Sequence, residues 1–134
     1  MSARANLETV RTIYKAFERG DVAAILETVT DDVDWSSAAA SHSAPWYGQR
    51  IGKKAVAGFF TSLGEAIEVL DFTQLSFTAN DTEVMVLSRF RVRSRTSGKE
   101  AAMHLHHYWR FRDRKVEYWR GAEDTELMAA TLRG

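Results

Sequence analysis

The stretch AAMHLHHYWRFR (101–112), followed by DR (113–114) and KVEYWRGAE (115–123), decides the fold. It reads as two strands, Ala101–Arg112 and Lys115–Glu123, joined by a turn at Asp113–Arg114. Side chains alternate faces along a strand. In the first strand Ala102, His104, His106, Tyr108 and Arg110 share one face, and Met103, Leu105, His107, Trp109 and Phe111 the other. In the second, Glu117, Trp119, Gly121 and Glu123 oppose Val116, Tyr118, Arg120 and Ala122. A hairpin that only covered a core would leave one side to Lys, Glu and Thr. Here polar tips stand among aromatics on both sides, which is the composition of a pocket wall.

Working outward, the residues before the hairpin supply two more strands. Glu83 to Thr96 is a long strand that ends at a Ser97-Gly98 turn, and Glu68 to Ala79 is another, closed by Asn80-Asp81. Ahead of these, Val56, Phe59, Phe60, Leu63 and Ile67 form the stripe of a helix that begins at Lys53. Ala38 to Gly52 reads as a loop holding the only proline, Pro45, and two large aromatics, Trp46 and Tyr47, whose apolar area should fold them back over the body. Val33 to Ser37 alternates as a short strand. At the start, Leu7, Val10, Ile13, Tyr14 and Phe17 form a helical stripe with Asn6 as N-cap and Gly20 as its stop. Asp21 caps a second helix, Val22 to Val29. Asp124 or Thr125 caps a last one through Leu127, Met128 and Leu132. Helices come first and an antiparallel sheet last, so the class is α+β.

The totals narrow the function. A chain of 134 residues is the size of a single domain, read here as 1–134. Lys plus Arg equals Asp plus Glu, so the formal charge is zero, which argues against a nucleic-acid partner. No cysteine is present, so disulfides, thiol nucleophiles and thiolate metal sites are excluded. No apolar run of ~18 residues suggests a membrane span, and the N-terminal residues lack a signal-peptide pattern. A cytoplasmic location is expected. Phosphate loops, Gly-x-Ser-x-Gly, His-Glu-x-x-His and dinucleotide fingerprints are all missing.

The segments Tyr14-Lys-Ala-Phe17-Glu-Arg-Gly20-Asp21, Asp31-Asp32-Val33-Asp34-Trp35, Gly52-Lys-Lys-Ala-Val56 with Phe59-Phe60, and Tyr108-Trp-Arg-Phe111-Arg-Asp-Arg-Lys115-Val116, together with Gly48 and Asp124-Thr125, come in an order and at spacings that carry a likeness. The chain resembles the SnoaL-like branch of the nuclear transport factor 2-like superfamily, over residues 7 to 130. The resemblance implies a cone: a curved, mostly antiparallel sheet around N-terminal helices, with a deep apolar pocket, and commonly a homodimer through the sheet. Members include polyketide cyclases, ketosteroid isomerase, limonene epoxide hydrolase and non-catalytic domains, so the fold does not give the function. Ketosteroid isomerase's first-helix tyrosine and first-strand aspartate correspond by position to Ile13 and Ser37, and its second oxyanion donor falls near His104. The arginine and two aspartates of limonene epoxide hydrolase fall on Arg89, Arg91 and Gly121, and a pocket tryptophan on Trp119. The same count turns Trp119, Gly121, Glu123, His104 and His106 inward.

Three groups could then carry chemistry. His104 and His106 share a face about 7 Å apart. They read as a pocket acid or base, as a hydrogen-bonded wall, or as a metal pair wanting a third ligand such as His42 or Glu123. Glu123 among aromatics would have its pKa raised by desolvation, or lowered by an ion pair with Arg89 or Arg91. Arg89 is expected at the cavity, where it could bind a carboxylate or enolate, or in a dimer contact. Phe17, Trp35, Ser37, Phe60, Trp119 and Gly121 would line the slot, with Trp46 and Tyr47 as its lid. The function so implied is cofactor-free proton transfer on a small apolar or aromatic molecule, as in isomerisation, cyclisation or dehydration. The alternatives are a non-catalytic binding or dimerisation domain, favoured by the carboxylates missing at Ser37 and Gly121, and a metal-assisted lyase on the histidine pair.

Overall fold

The computed structural model describes residues 2–37 and 39–133. Helix α1 (Ala3–Glu18) buries Val10, Ile13 and Tyr14 along one stripe. Ser2, not Asn6, caps it, accepting from the Ala5 N–H at 3.0 Å. Asn6 lies inside the helix, buried, and its amide donates to the carbonyls of Asn80 and Asp81 at 3.2 and 3.0 Å. A polar residue at a helix start is usually a cap; this one instead anchors a distant turn. Gly20, at φ 70°, ends the helix, and Asp21 caps α2 (Val22–Leu26) as expected. The second helix stops three residues short of Val29, because Val29 opens strand β1 (Val29–Ser37) and pairs with Val116.

The loop from Ala38 contains a short strand that periodicity could not show, β2 (Gly48–Ile51), paired with β1. Ala38 lies outside the described residues, and 39–47 are bends and turns. Helix α3 (Lys53–Ala66) follows Gly52. Ile67, read as the end of its stripe, is instead the buried first residue of strand β3 (Ile67–Ala79). Strands β4 (Glu83–Ser94), β5 (Glu100–Arg112) and β6 (Lys115–Ala122) complete the sheet, and α4 (Thr125–Leu132) is capped by Asp124. Asp113 and Arg114 both take positive φ, 49° and 69°, in the two-residue turn between β5 and β6, as a primed hairpin turn requires.

The fold is α+β: one six-stranded curved sheet in the order β2-β1-β6-β5-β4-β3, with N-terminal helices against it. All neighbours are antiparallel except β1 and β6, which run parallel. The concave face is set by burial. Val84, Val86, Phe90 and Val92 of β4 point to the helices, as do Ala101, Leu105, Trp109 and Phe111 of β5. Trp109 stands opposite Trp119, and His107 opposite Gly121. The odd-numbered residues of β5 therefore face inward, and His104 and His106 are exposed on the outer face. A register shift in the hairpin lets Val116 and Trp119 both turn inward and sends Glu117 and Tyr118 outward together. Strict alternation had put Val116 and Trp119 on opposite sides; a single bulged residue reverses that.

Candidate functional site

Between the helices and the concave face lies a cavity of about 70 Å³, lined by Tyr14, Phe17, Trp35, Phe60, Trp109 and Trp119 among others. It is about half the ~150 Å³ that admits a benzene ring. The walls are packed rings: Trp35 stacks on Trp119 at 4.4 Å between centroids, and Phe59 and Phe60 meet Trp35 edge-on at 5.7 Å. Ser37 and Gly121 at the strand ends, and Glu123 just beyond β6, also line it.

Two polar groups meet the cavity from different elements. Helix α1 brings Tyr14 against β5, where its hydroxyl lies 2.8 Å from His107 Nδ1 and its ring stacks on the imidazole. Burial raises the Tyr14 pKa, with the Trp109 indole opposing weakly from outside bonding geometry. The hydroxyl therefore keeps its proton. An indole can only donate, so the Tyr14–His107 contact is satisfied when the hydroxyl donates to Nδ1, the arrangement in which the neutral imidazole carries its proton on Nε2. Burial, with a smaller repulsion from His106, pushes the His107 pKa down to about 3. His107 is thus a neutral hydrogen-bonding group, not a base that charges near pH 7.

Glu123 is the second. Desolvation raises its pKa, and hydrogen bonds from Tyr47 and Trp46 partly offset this. The Tyr47 hydroxyl donates to Glu123 Oε2 at 2.9 Å. Tyr47 is in turn held protonated by its own burial and by the adjacent carboxylate. Trp46 is buried, 1% exposed, and packs on Tyr47 at 5.5 Å. The two loop aromatics do fold back onto the body, and they reach Glu123.

The other expectations divide. Phe17, Trp35, Ser37, Phe60, Trp119, Gly121 and Glu123 are brought together as read. His104 and His106 are not among them, since they occupy the opposite face of β5. Arg89 is also corrected: it projects from the outer face and bonds Asp71 at 2.6 Å. Arg91 pairs with Glu100 on that same face. Neither arginine reaches Glu123, so the ion pair that would lower its pKa does not form. Three arginines alternating along β4, Arg89, Arg91 and Arg93, require a face rich in water and counter-charges, and the convex surface supplies both. No group of three His, Cys, Asp or Glu side chains able to hold a metal ion occurs among the described residues. His107 and Tyr14 were missed. The signal was present in Leu105, Trp109 and Phe111, whose size identifies the inward face on which His107 sits.

A family model described as a SnoaL-like domain matches residues 10–119. The chain belongs to the SnoaL-like family. A nuclear transport factor 2-like protein of unknown function from Burkholderia pseudomallei K96243 is 25% identical to this SnoaL-like chain, with 97% of this chain and 98% of that one covered and a TM-score of 0.90. TerC, crystallised with polyporic acid, is 20% identical over 97% of this chain and 99% of its own, with a TM-score of 0.86. An epoxide hydrolase of M. tuberculosis resembling limonene epoxide hydrolase is 12% identical over 97% of this chain and 90% of its own, with a TM-score of 0.75. The last two likenesses are of fold. No curated protein matches the chain. No helix among the described residues is long and apolar enough to cross a membrane.

Proposed function

We propose that this SnoaL-like protein binds a small, largely apolar molecule in the aromatic cavity and moves a proton on it with Glu123, without a cofactor. The observation that carries the reading is a desolvated carboxylate at the cavity, hydrogen-bonded through one oxygen to Tyr47. A carboxylate whose pKa is raised toward neutrality is a better base than an exposed one. In the proposed step, Glu123 takes a proton from a carbon beside a carbonyl group of the substrate. The electron pair of that C–H bond moves to the carbonyl oxygen, and the protonated Glu123 returns the proton to the carbon that completes an isomerisation or follows ring closure. The neutral His107 Nε2–H, set by Tyr14, is the hydrogen-bond donor proposed for the oxygen as charge develops. Glu123 alone remains of the three catalytic residues read from the sequence.

Glu123→Gln should lower proton-transfer rates by about 10²- to 10⁴-fold while leaving ligand binding intact. The readout is exchange of substrate carbon-bound hydrogen for deuterium in D2O; unchanged exchange would sink the role.

A second reading is a binding domain without catalysis. It is favoured by Gly121, where an added Cβ would come within 2.6 Å of the Trp119 ring, so that indole fills the space a carboxylate would need. For either reading we propose a cytoplasmic homodimer, a single domain joined through the outer face of the sheet. That face exposes Met85 (58%) beside Leu87 and His106.

A further inference from the structure

The closed cavity is too small for a ligand of its own. At about 70 Å³ it has half the ~150 Å³ that admits a benzene ring, so a bound molecule must take room from a neighbouring space. One such space adjoins it. Where the end of α1, the start of α2, the end of α3 and the start of β3 meet, there is an apolar groove of about 170 Å³. Phe17, Phe60 and Leu63 line both the groove and the cavity, and among the described residues no others do. They form the partition between the two. All three are half-buried, and the Phe17 and Phe60 rings stand 6.0 Å apart, tilted by 47°. Beyond the partition the groove is lined by Gly20, Val22, Gly64, Ile67 and Val69, with no polar side chain among the described residues.

Gly64 is the lining residue that packing does not explain. It lies inside α3, where glycine weakens a helix relative to alanine. Gly58 of the same helix has a steric reason, since an added Cβ would meet Arg50 Nη1 at 3.0 Å. Gly20 has a conformational one, its φ of 70°. At Gly64 an added Cβ meets nothing within 4 Å, and the helical backbone needs no glycine. What the missing side chain leaves is the width of the groove. The groove also lies well away from Glu123. Val69 pairs with Val92, and five residues back along β4 Leu87 pairs with His106, which lies opposite Ala122; that run is about 17 Å. We propose that cavity and groove form one elongated site, and that its ligand is an uncharged amphiphile whose flexible alkyl chain passes Phe17 and Phe60 and lies against Gly64. The lining supports this class. The groove offers a ligand only hydrocarbon contact, which suits an alkyl chain. The cavity holds the Glu123 carboxyl group and, among the described residues, no Lys or Arg to meet an anion. A flexible chain threads between two rings that a rigid fused-ring molecule would have to displace. Gly64 is then the residue that sets chain-length specificity. This rests on the reading of the cavity as the ligand site and adds the shape of its ligand.

The test uses 1-butanol, 1-heptanol and 1-decanol as neutral probes. Titration of ¹³C-methyl-labelled protein should show affinity rising about fourfold per added methylene. Val22 and Val69 methyl signals should shift with 1-decanol and not with 1-butanol. Gly64→Leu should weaken 1-decanol binding about tenfold and leave 1-butanol binding as it was; should that variant not fold, the Val22 and Val69 shifts of the native protein decide. Gly64→Ala should be more heat-stable than the native chain, and a less stable variant would show that the glycine serves the fold. That result would overturn the proposal. So would unchanged 1-decanol binding in Gly64→Leu, equal loss of both alcohols, unshifted valine methyls, or no 1-decanol binding up to its solubility. Self-association that Gly64→Leu abolishes, without an effect of 1-decanol, would place a second copy in the groove and would also overturn it. Deuterium exchange beside the carbonyl group of 2-decanone tests Glu123 separately. Chain-length dependence without exchange keeps the elongated site and removes the proton-transfer function; exchange without chain-length dependence does the reverse.

Discussion

At the scale of single residues, His107 carries a prediction about pH. Its folded pKa of about 3 lies far below the ~6.5 of an unfolded histidine. The unfolded chain therefore binds the proton more readily, and the group's contribution is fully present above pH ~6.5 and is lost as pH falls toward 3. The loss has a limiting slope of about 1.4 kcal/mol per pH unit. Glu123 acts in the opposite sense. Its raised folded pKa makes its stabilising contribution complete at low pH, and that is lost as pH rises through the folded value. Urea unfolding of the native protein and His107→Gln should show the native chain losing more stability than the variant between pH 7 and pH 5. Parallel curves would show that His107 is not desolvated. Gly121 makes a steric prediction. A methyl group there meets the Trp119 ring at 2.6 Å and His107 Cδ2 at 3.3 Å. Gly121→Ala should destabilise by about 1–3 kcal/mol, as overpacked cores do, and should change Trp119 fluorescence, because that ring must move.

At the scale of elements, the loop before β2 and the end of β6 work as one device. Tyr47 and Trp46 come from a segment with no periodicity, yet they meet Glu123 because β2 pairs with β1 and β1 lies beside β6. The Arg50 guanidinium ties the loop down, donating to the carbonyls of Pro45 and Ala55 at 3.3 Å. Tyr47's hydrogen bond favours the ionised Glu123, so Tyr47→Phe should raise the Glu123 pKa further. Carbon-detected NMR titration of the carboxyl group would check this, and a fall would contradict it. The hairpin of β5 and β6 teaches a related lesson. Its turn at Asp113–Arg114 and its strand limits were legible from local residues. Its facing was not, because one bulged residue at Glu117 changes which side chains meet the helices.

At the scale of the whole molecule, the sheet divides its chemistry between two surfaces. The concave side carries rings, Tyr14–His107 and Glu123. The convex side carries ion pairs, such as Arg89–Asp71 and Arg93–Glu100, next to exposed Met85. Exposed pairs of this kind contribute little to folding, each about 0–1 kcal/mol, and they leave this face free for the dimer contact proposed above. Analytical ultracentrifugation should find a dimer at micromolar concentration, and Met85→Lys should convert it to a folded monomer. A native monomer at the highest soluble concentration would remove the dimer proposal.

The sequence by itself determined the order of helices and strands apart from β2, the α+β class, and the family to which the chain belongs. It also picked out most of the aromatic wall, from Phe17 and Trp35 to Trp119. These are local matters of periodicity, caps and turn residues, or of motifs kept in order along the chain. Tertiary structure alone decided which histidine entered the cavity, where Arg89 went, and that Asn6 would hold a turn some seventy residues away. A strand's two faces are chemically ambiguous when both carry aromatics and polar tips. Only the packing of α1 and α3 against one of them removes water from that side, and with it the charge from His107.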